Sequence, residues 1–505
     1  MKKFIYIILS LVFLTTSCSL DKMPSGYIDT STAVESVEDA AKVRDYLYLG
    51  LRGMYSGSYI YSNEICSDIF HASFGFGNRM GEFYRWEWTA TNGTAESLWA
   101  DCYYLTAVAN FLTEKIDKLD NTKFSESDRA ALELYKGECN FVKAATMFEL
   151  AQRFCDVYSA STAASSMGVM LVDKYAPTSD QTSYPGRSSL ADTYKFINEH
   201  LSKAATAIAS VSGKEASMYI TIDAITAMQA RIALVTGDYD TAIAKSTALI
   251  SGGKYPLIST KDEFTKLWTN DSGKECMMQL YADYVAKSLP ASCNYNYVSL
   301  GADGLYSPDY IPTSWLVNLY DKKDIRYTTW YTEQTLTYGT IKGKAVILNK
   351  FPGNRELQDA NKKTSDYINK IKLFRIAEQY LIAAESYALK GGNDAVASDY
   401  LNQLRAKRIP SYVPQTYAGN NLITEIRNER VRELVGEGFR VLDIKRYNAG
   451  FNRSKSQNSQ IISNAGSALT ELLSIDASNF RFLWPIPKAE IDANPQIKGQ
   501  QNNGY

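Results

Sequence analysis

Residues 223–250 read DAITAMQARIALVTGDYDTAIAKSTALI, in which two stretches rich in alanine and aliphatic residues flank Gly237 and Asp238. We expect helices over 223–236 and 239–250, because the Gly-Asp dipeptide supplies a turn between two segments that otherwise favour helix. The small side chains also allow two helices to approach closely. This stretch therefore predicts a pair of helices joined by a short turn as the building unit of the fold.

The same pattern recurs on both sides of this pair. Helical stretches are predicted over 96–119, 125–154, 191–211, 374–390, 394–405, 423–435 and 439–447. Within 125–154, apolar side chains recur at steps of three and four residues, which is typical of one buried helical face. Repeated helix pairs of this kind resemble tetratricopeptide units. We therefore predict a mainly α fold whose helical scaffold covers about 37–252 and 373–448.

Two segments break the helical pattern. The longer one, about 254–371, is rich in Tyr, Gly, Asn and Pro, and the shorter one covers 55–92. Long irregular segments inside a compact protein are usually functional. We expect one domain over 18–505, in which a helical scaffold carries long irregular ligand-binding loops.

The N-terminus is typical of an exported lipoprotein. Lys2 and Lys3 precede an apolar run that ends at Leu14 and is too short to span a bilayer. The serine before Cys18 resembles the end of a bacterial lipobox, so we predict a signal peptide over 1–17 and lipidation of Cys18. Acyl chains would then anchor the protein to a membrane, at about 0.8 kcal/mol per buried CH₂ group.

Composition argues against several function classes. The 54 Lys and Arg residues balance 55 Asp and Glu residues, so the chain lacks the basic excess of a nucleic-acid-binding protein. With only two histidines, and with no C-x-x-C or D-x-D-x-D-G pattern, we predict no metal site and no cofactor. Cys102 and Cys139 are one possible disulfide, but buried free thiols are favoured because a large core needs no covalent staple.

The charged stretch near the C-terminus contains Glu429, Arg430, Arg432, Glu433, Glu437, Arg440 and Asp443. Paired carboxylates can act as acid and base in glycosidases. Glu429 and Glu433, however, share one helix face, where the arginines of the same stretch can neutralise them. We favour ion pairs between packed helices and predict that the protein is not an enzyme. No G-x-S-x-G, H-E-x-x-H or phosphate-binding glycine loop occurs in the sequence.

Aromatic residues dominate both irregular segments. An exposed Trp or Tyr offers a flat apolar face to a sugar ring, and Asn, Asp and Arg can hydrogen-bond the hydroxyl groups around it. We predict ligand contacts from Arg79, Tyr84, Trp86, Trp88, Asn92, Tyr284, Tyr295, Asn296, Tyr297 and Tyr306. For any single ring, burial against the helices beneath it is the competing interpretation.

Several blocks resemble the SusD/RagB family of surface nutrient-binding lipoproteins, and they come in family order over nearly the whole chain. They are a Leu-Asp-x-x-Pro opening at 20–24, a Trp-x-x-x-Tyr helix at 99–103, a central repeat at 219–257, an Arg-x-Ala-Glu-x-Tyr-Leu helix at 375–381, the charged stretch at 428–443 and the tail at 485–505. The resemblance implies a SusD-like, tetratricopeptide-like fold in which the two irregular segments build the ligand platform.

The resemblance also implies a function. Such proteins capture an oligosaccharide at the outer surface of a Gram-negative cell and deliver it to a SusC-like TonB-dependent transporter. We therefore expect a glycan-binding lipoprotein, lipid-anchored in the outer membrane and facing the cell exterior, with an oligosaccharide and the transporter as partners. Three alternatives stay open: a peptide-binding member of the same family, a surface glycoside hydrolase, and a periplasmic helical-repeat scaffold.

Overall fold

The computed structural model describes residues 32–282, 294–359, 361–362, 364–463 and 474–505. Its first helices are α1 (Val37–Met54), α2 (Ser58–Ile65), α3 (Gly81–Arg85), α4 (Gly93–Lys118), α5 (Glu126–Phe154) and α6 (Leu190–Ala207). Side chains at their N-termini fix where the long helices begin. Ser125 and Asp128 form a reciprocal capping box at the start of α5, and the Asn92 side chain accepts two hydrogen bonds from the first turn of α4.

The helix pair predicted over 223–250 is present. α7 (Ile222–Thr236) and α8 (Tyr239–Ser251) are joined at Gly237, whose φ of 75° is a left-handed conformation that glycine adopts without strain. Small side chains of this pair pack on Ile382 in one apolar cluster. The C-terminal helices are α13 (Ile376–Lys390), α14 (Asp394–Arg408), α15 (Gly419–Leu434), α16 (Arg440–Arg446) and α17 (Lys488–Ala493). The prediction of a mainly α fold with repeated helix pairs is confirmed.

The insertion over 254–371 is more regular than its composition indicated. It contains α9 (Lys261–Thr269), α10 (Asn294–Val298), α11 (Ser314–Asn318), α12 (Ile325–Trp330) and the hairpin strands β4 (Tyr331–Tyr338) and β5 (Ile341–Leu348). Its helices are five to nine residues long. Helices of one to three turns present too few repeats for a periodic pattern to show in the sequence.

Short antiparallel strand pairs connect distant parts of the chain. The pairs are β1 (Phe70–Ala72) with β3 (Tyr310–Pro312), β2 (Cys276–Leu280) with β6 (Ile371–Arg375), and β7 (Phe451–Asn452) with β8 (Ser474–Ile475). In the first pair, His71 lies opposite Ile311. The loop that follows β1 and the loop that precedes β3 therefore lie side by side, and each belongs to one of the two irregular segments.

The structure describes most of the cysteines but not the predicted membrane anchor. Within the described residues, Cys66, Cys102, Cys139, Cys155 and Cys276 are buried free thiols, as favoured above. No helix in this part of the chain is long and apolar enough to cross a membrane. The signal peptide over 1–17 and the lipidated Cys18 lie outside the described residues, so both stay predictions, as do the domain boundaries.

Candidate functional site

The charged stretch near the C-terminus lies in the protein interior. We name as the charge cluster the side chains of Glu275, Asp324, Arg326, Arg375, Arg408, Glu429 and Glu433, which are almost completely excluded from solvent. Glu433 on α15 is its centre. One of its oxygens lies 2.9 Å from Nη1 of Arg326 and the other 2.6 Å from Nη1 of Arg375, while Nε of Arg408 lies 3.0 Å away.

The charge cluster is unsuited to acid–base chemistry. Burial alone would raise the pKa of Glu433, but the guanidinium groups of Arg408, Arg375 and Arg326 outweigh it and hold that pKa well below its usual value. A general acid must carry a proton near neutral pH and must reach the substrate. Glu433 does neither, so the structure supports the interpretation of these charges as ion pairs between packed elements.

The arginines within the charged stretch mostly pair with acids other than Glu429 and Glu433. Arg430 binds Asp443 and Arg440 binds Asp68, and Arg432 alone among the three contacts Glu429, at 2.7 Å. The arginines around Glu433 lie 25 to 107 positions away in the sequence. Local spacing therefore could not identify them.

The structure corrects the expectation that Tyr84, Trp86, Trp88 and Tyr297 form an exposed ligand platform. All four side chains are buried, and Trp88 is only 1% exposed. The Tyr297 ring stacks on Phe70 at 4.6 Å, and the Trp88 ring stacks on Phe83 at 5.0 Å. Trp86 Nε1 donates to the Cys66 carbonyl at 2.6 Å, and the Arg453 guanidinium covers the Tyr84 ring at 3.9 Å. These rings are part of the protein core between the loops and the helices.

The four predicted contacts from 284–306 that remain are placed differently from one another. Tyr284 lies outside the described residues. Tyr295 lies on α10. Asn296 is buried, and its carbonyl accepts a hydrogen bond from the Asp309 backbone N–H at 2.8 Å. Tyr306 is half-buried beside the β4–β5 hairpin, where its carbonyl accepts from the Thr337 N–H at 2.9 Å.

Arg79 is the predicted residue with the clearest access to solvent. Its side chain is 55% exposed, yet its head group is fixed from two sides. Nε donates to Oδ2 of Asp309 at 2.5 Å, Nη2 pairs with the other carboxylate oxygen, and Nη2 also donates to the Gly75 carbonyl at 2.7 Å. Burial raises the pKa of Asp309, and the hydrogen bond from Arg79 acts in the opposite direction.

Around this pair, three segments form one surface, which we name the loop surface: residues 73–80, residues 299–309 and Tyr338 at the end of β4. Tyr338 Oη donates to the Pro308 carbonyl at 2.9 Å, and the Ser73 hydroxyl donates to the same oxygen at 2.5 Å. Phe74 and Leu305 project from it as exposed apolar side chains, 41% and 46% accessible. The loop surface thus combines an exposed aromatic ring with an oriented guanidinium group.

A polar cleft of about 530 Å³ opens beside the loop surface at Asn78. Its walls carry hydroxyl, amide and carboxylate groups from Tyr59, Asn78, Glu82, Asn92, Thr94 and Ser97. Asn92 Oδ1 accepts from the backbone N–H groups of Thr94 and Ala95, and Nδ2 donates to Oε2 of Glu82 at 2.7 Å. The predicted residue Asn92 therefore both caps α4 and lines the cleft.

The backbone between the loop surface and the cleft is strained. Asn78, Met80 and Trp86 have φ values of 59°, 55° and 59°, in the left-handed region. A non-glycine residue there costs about 1–2 kcal/mol, and such residues cluster at ligand sites. Hydrogen bonds from Arg85 to the Asn78 side chain and from Arg79 to Asp309 hold the two residues in this arrangement.

Phe74 and Asn78 lie within the irregular segment 55–92, but neither is among the predicted ligand contacts. The stretch Ser73–Gly81 reads SFGFGNRMG, with three glycines in nine residues, and that density indicates an exposed turn better than ring counting does. Tyr338 carried no comparable signal, because its place next to Pro308 depends on the hairpin. Within the described residues, no group of His, Cys, Asp and Glu is arranged to hold a metal ion.

The model of the SusD family matches residues 275–505, and a model described as starch-binding associating with outer membrane matches residues 20–234. Nothing among the curated proteins matches the sequence.

Several solved structures share the fold. A SusD superfamily protein from Bacteroides thetaiotaomicron is 26% identical, with a TM-score of 0.77 over 92% of this chain and 99% of that one. Another from Bacteroides vulgatus is 24% identical, with a TM-score of 0.76 over 94% and 100% of the two chains. A SusD-like carbohydrate binding protein from the same species is 18% identical, with a TM-score of 0.71 over 92% and 98%.

The two family models cover most of the sequence between them, and the shared fold extends over more than nine-tenths of it. The resemblance inferred from the motifs is thereby confirmed, and this chain belongs to the SusD family.

Proposed function

We propose that this protein is a lipid-anchored outer-membrane protein that binds an oligosaccharide at the loop surface and the adjoining polar cleft, and delivers it to a SusC-like TonB-dependent transporter. The observation that carries the proposal is an exposed ring, Phe74, directly before the Gly75 carbonyl that accepts from the oriented Arg79 head group, next to a cleft lined by hydroxyl and amide groups. The description of the family model over 20–234, starch-binding associating with outer membrane, supports the ligand class and the location.

The chemistry of the surface suits a sugar chain. A pyranose ring has an apolar C–H face, which can stack on an exposed aromatic ring such as Phe74. Its hydroxyl groups can accept from Arg79 and exchange hydrogen bonds with Asn78, Glu82 and Asn92. A few contacts of this kind give dissociation constants between millimolar and micromolar, about -4 to -8 kcal/mol. A protein that hands its ligand to a transporter needs binding of this moderate strength, because the ligand must also leave.

Binding without catalysis is the proposed role. The carboxylates of the charge cluster are buried and held by arginines, and none of them belongs to the loop surface. Asp309 and Glu82 each already hold a partner side chain, Arg79 and Asn92. The proposal therefore expects a bound glycan to be recovered intact.

Affinity electrophoresis and calorimetry of the purified protein against a panel of polysaccharides and peptides test the ligand class. We expect one glycan to retard the protein and to be recovered uncleaved. Phe74→Ala should weaken its binding at least tenfold, whereas Tyr104→Ala, which removes a ring that is 59% exposed on α4, should leave it unchanged. Cleavage of the glycan would establish a hydrolase, and heat from peptides alone would establish the peptide-binding alternative.

Location and partner need separate tests. Cys18→Ser should shift the protein from the membrane fraction to the soluble fraction, because the anchor is lost while the fold is kept. The wild-type protein should co-purify with a TonB-dependent barrel after mild detergent extraction. Recovery of periplasmic proteins instead, together with no response to any glycan, would support a helical-repeat scaffold.

A further inference from the structure

Two adjoining cavities lie between the N-terminal helices and the C-terminal helices, and none of their lining residues belongs to the loop surface. They have volumes of about 80 Å³ and about 50 Å³. Gln152, Arg231, Phe439 and Leu442 line both, so we treat them as one groove and name it the Phe439 groove. A water-sized group needs about 10–15 Å³ of such volume, so the groove has room for a ligand of several heavy atoms.

The groove contains donors that the described protein leaves unused. Arg430 lines the smaller cavity and Arg153 the larger, and both side chains are at least nine-tenths buried. Nη1 of Arg430 and Nε of Arg153 have no hydrogen-bond partner among the described residues. A buried donor without a partner costs about 1–3 kcal/mol, so the arrangement favours an acceptor in the groove.

Lys445 adds a positive charge at the same place. Its Nζ is buried and donates to the carbonyl oxygens of Gln152 and Cys155, both at 2.7 Å. An ammonium group has three N–H donors, so one remains beyond these two. Within the described residues Lys445 forms no ion pair, and burial lowers its pKa to about 8. By contrast, Arg231 and Arg430 are paired with Glu378 and Asp443.

The smaller cavity is lined by four cations, Arg231, Arg430, Lys445 and Arg446, and by three acids, Asp156, Glu378 and Asp443, so one positive charge is left over. The other walls include the apolar side chains of Phe439, Leu442, Tyr158, Tyr194, Leu234 and Val235. One excess positive charge favours a ligand with one negative charge, and apolar walls favour a ligand that carries a short hydrocarbon part. Both conditions describe a small monocarboxylate better than an inorganic phosphate, whose oxygens would face carbon on several sides.

We propose that the Phe439 groove binds a small monocarboxylate, with its oxygens accepting from Nζ of Lys445 and Nη1 of Arg430 and its alkyl tail packed against Phe439 and Leu442. The site is separate from the loop surface, so it binds its ligand independently of the glycan. It would allow a short-chain acid to stabilise the junction between the two sets of helices.

The test is a titration of the purified protein with propionate and butyrate at constant ionic strength, followed by calorimetry and thermal unfolding. We expect saturable binding and a rise in melting temperature that sodium chloride and phosphate do not reproduce. Lys445→Met should weaken binding at least tenfold, because it removes the charge and keeps the buried stem. Lys390→Met is the matched control, since Lys390 pairs with Asp240 at an exposed site and should change nothing.

A second variant tests the apolar half of the site. Leu442→Trp should fill the groove and abolish binding of both acids without changing any charge. The proposal would be overturned if chloride raised the melting temperature as much as the two acids do. It would also be overturned by tighter binding of phosphate, or by wild-type affinity in Lys445→Met. If Leu442→Trp does not fold, the Lys445→Met titration alone decides. Glycan affinity should be the same with and without butyrate, which separates this result from the test of the proposed function.

Discussion

The charge cluster and the loop surface use the same pair of chemical groups in opposite ways. In the charge cluster, Glu433 is held by three guanidinium groups and no atom of the set has useful access to solvent. In the loop surface, Asp309 is held by one, and that one, Arg79, is more than half exposed. The first arrangement joins elements of the fold permanently. The second presents an oriented cation to whatever approaches from solvent.

The pKa directions express this difference. Three arginines outweigh the effect of burial on Glu433 and lower its pKa, whereas burial outweighs the single arginine at Asp309 and raises that pKa. At these two carboxylates, the number of cations that surround the group therefore decides the direction of the pKa shift.

The largest expected effect is on stability, from Glu433→Gln. The variant leaves Arg326, Arg375 and Arg408 facing a neutral group in the interior, and breaking a buried ion pair in this way costs about 3–5 kcal/mol. Urea unfolding of wild type and variant measures the difference. Glu333→Gln is the control, because its partner Lys344 lies 3.9 Å away on the hairpin surface and the pair contributes at most about 1 kcal/mol. Similar losses in both variants would contradict the assigned role of the charge cluster.

A comparable loss is expected from Trp88→Ala. The ring is fully packed between Phe83 and Trp86, and replacing a buried aromatic residue by alanine typically costs about 3–5 kcal/mol. Phe74→Ala, in the same segment, should cost much less than Trp88→Ala, because the Phe74 side chain is 41% exposed. Thermal unfolding of the two variants side by side checks this. A Trp88→Ala protein of wild-type stability with no glycan affinity would restore the original platform hypothesis.

Trp88 and Phe74 show what could not be predicted from the sequence. The helix pair at 223–250 could be predicted because its signals are local: alanine-rich stretches, a Gly-Asp turn and capping residues. Whether Trp88 or Phe74 faces solvent depends on non-local contacts: the Phe74 N–H donates to the Ile461 carbonyl, and Nε of Arg481 donates to the Trp88 carbonyl. The composition of the loops therefore indicated the region that we propose as the site, but it could not separate the rings of the core from the ring that is exposed.

The Arg79–Asp309 pair allows a sharper separation of stability from binding. Arg79→Met should lower stability by about 1–3 kcal/mol, because the buried Asp309 loses its charged partner, and should weaken glycan binding at least tenfold. Adding Asp309→Asn removes the uncompensated charge and should recover most of the stability. Calorimetry should nevertheless find binding still weak in the double variant. Recovery of both properties together would mean that Arg79 acts only by holding the loop.

The smallest expected effect is a change with pH that separates the two regions. Because burial raises the pKa of Asp309 above its ordinary value, this carboxyl takes up a proton at higher pH than Glu433, whose pKa is depressed. On acidification Arg79 loses its ionised partner first, while the fold is intact. The stabilisation from Glu433 is present above its unfolded pKa of about 4.5 and is lost only as the pH falls toward its depressed folded value.

Glycan affinity should therefore weaken by a few-fold while near-UV circular dichroism still reports the native fold, and Arg79→Met should show no such step. A loss of affinity that coincides with unfolding would mean that Asp309 does not take up its proton at a higher pH than Glu433.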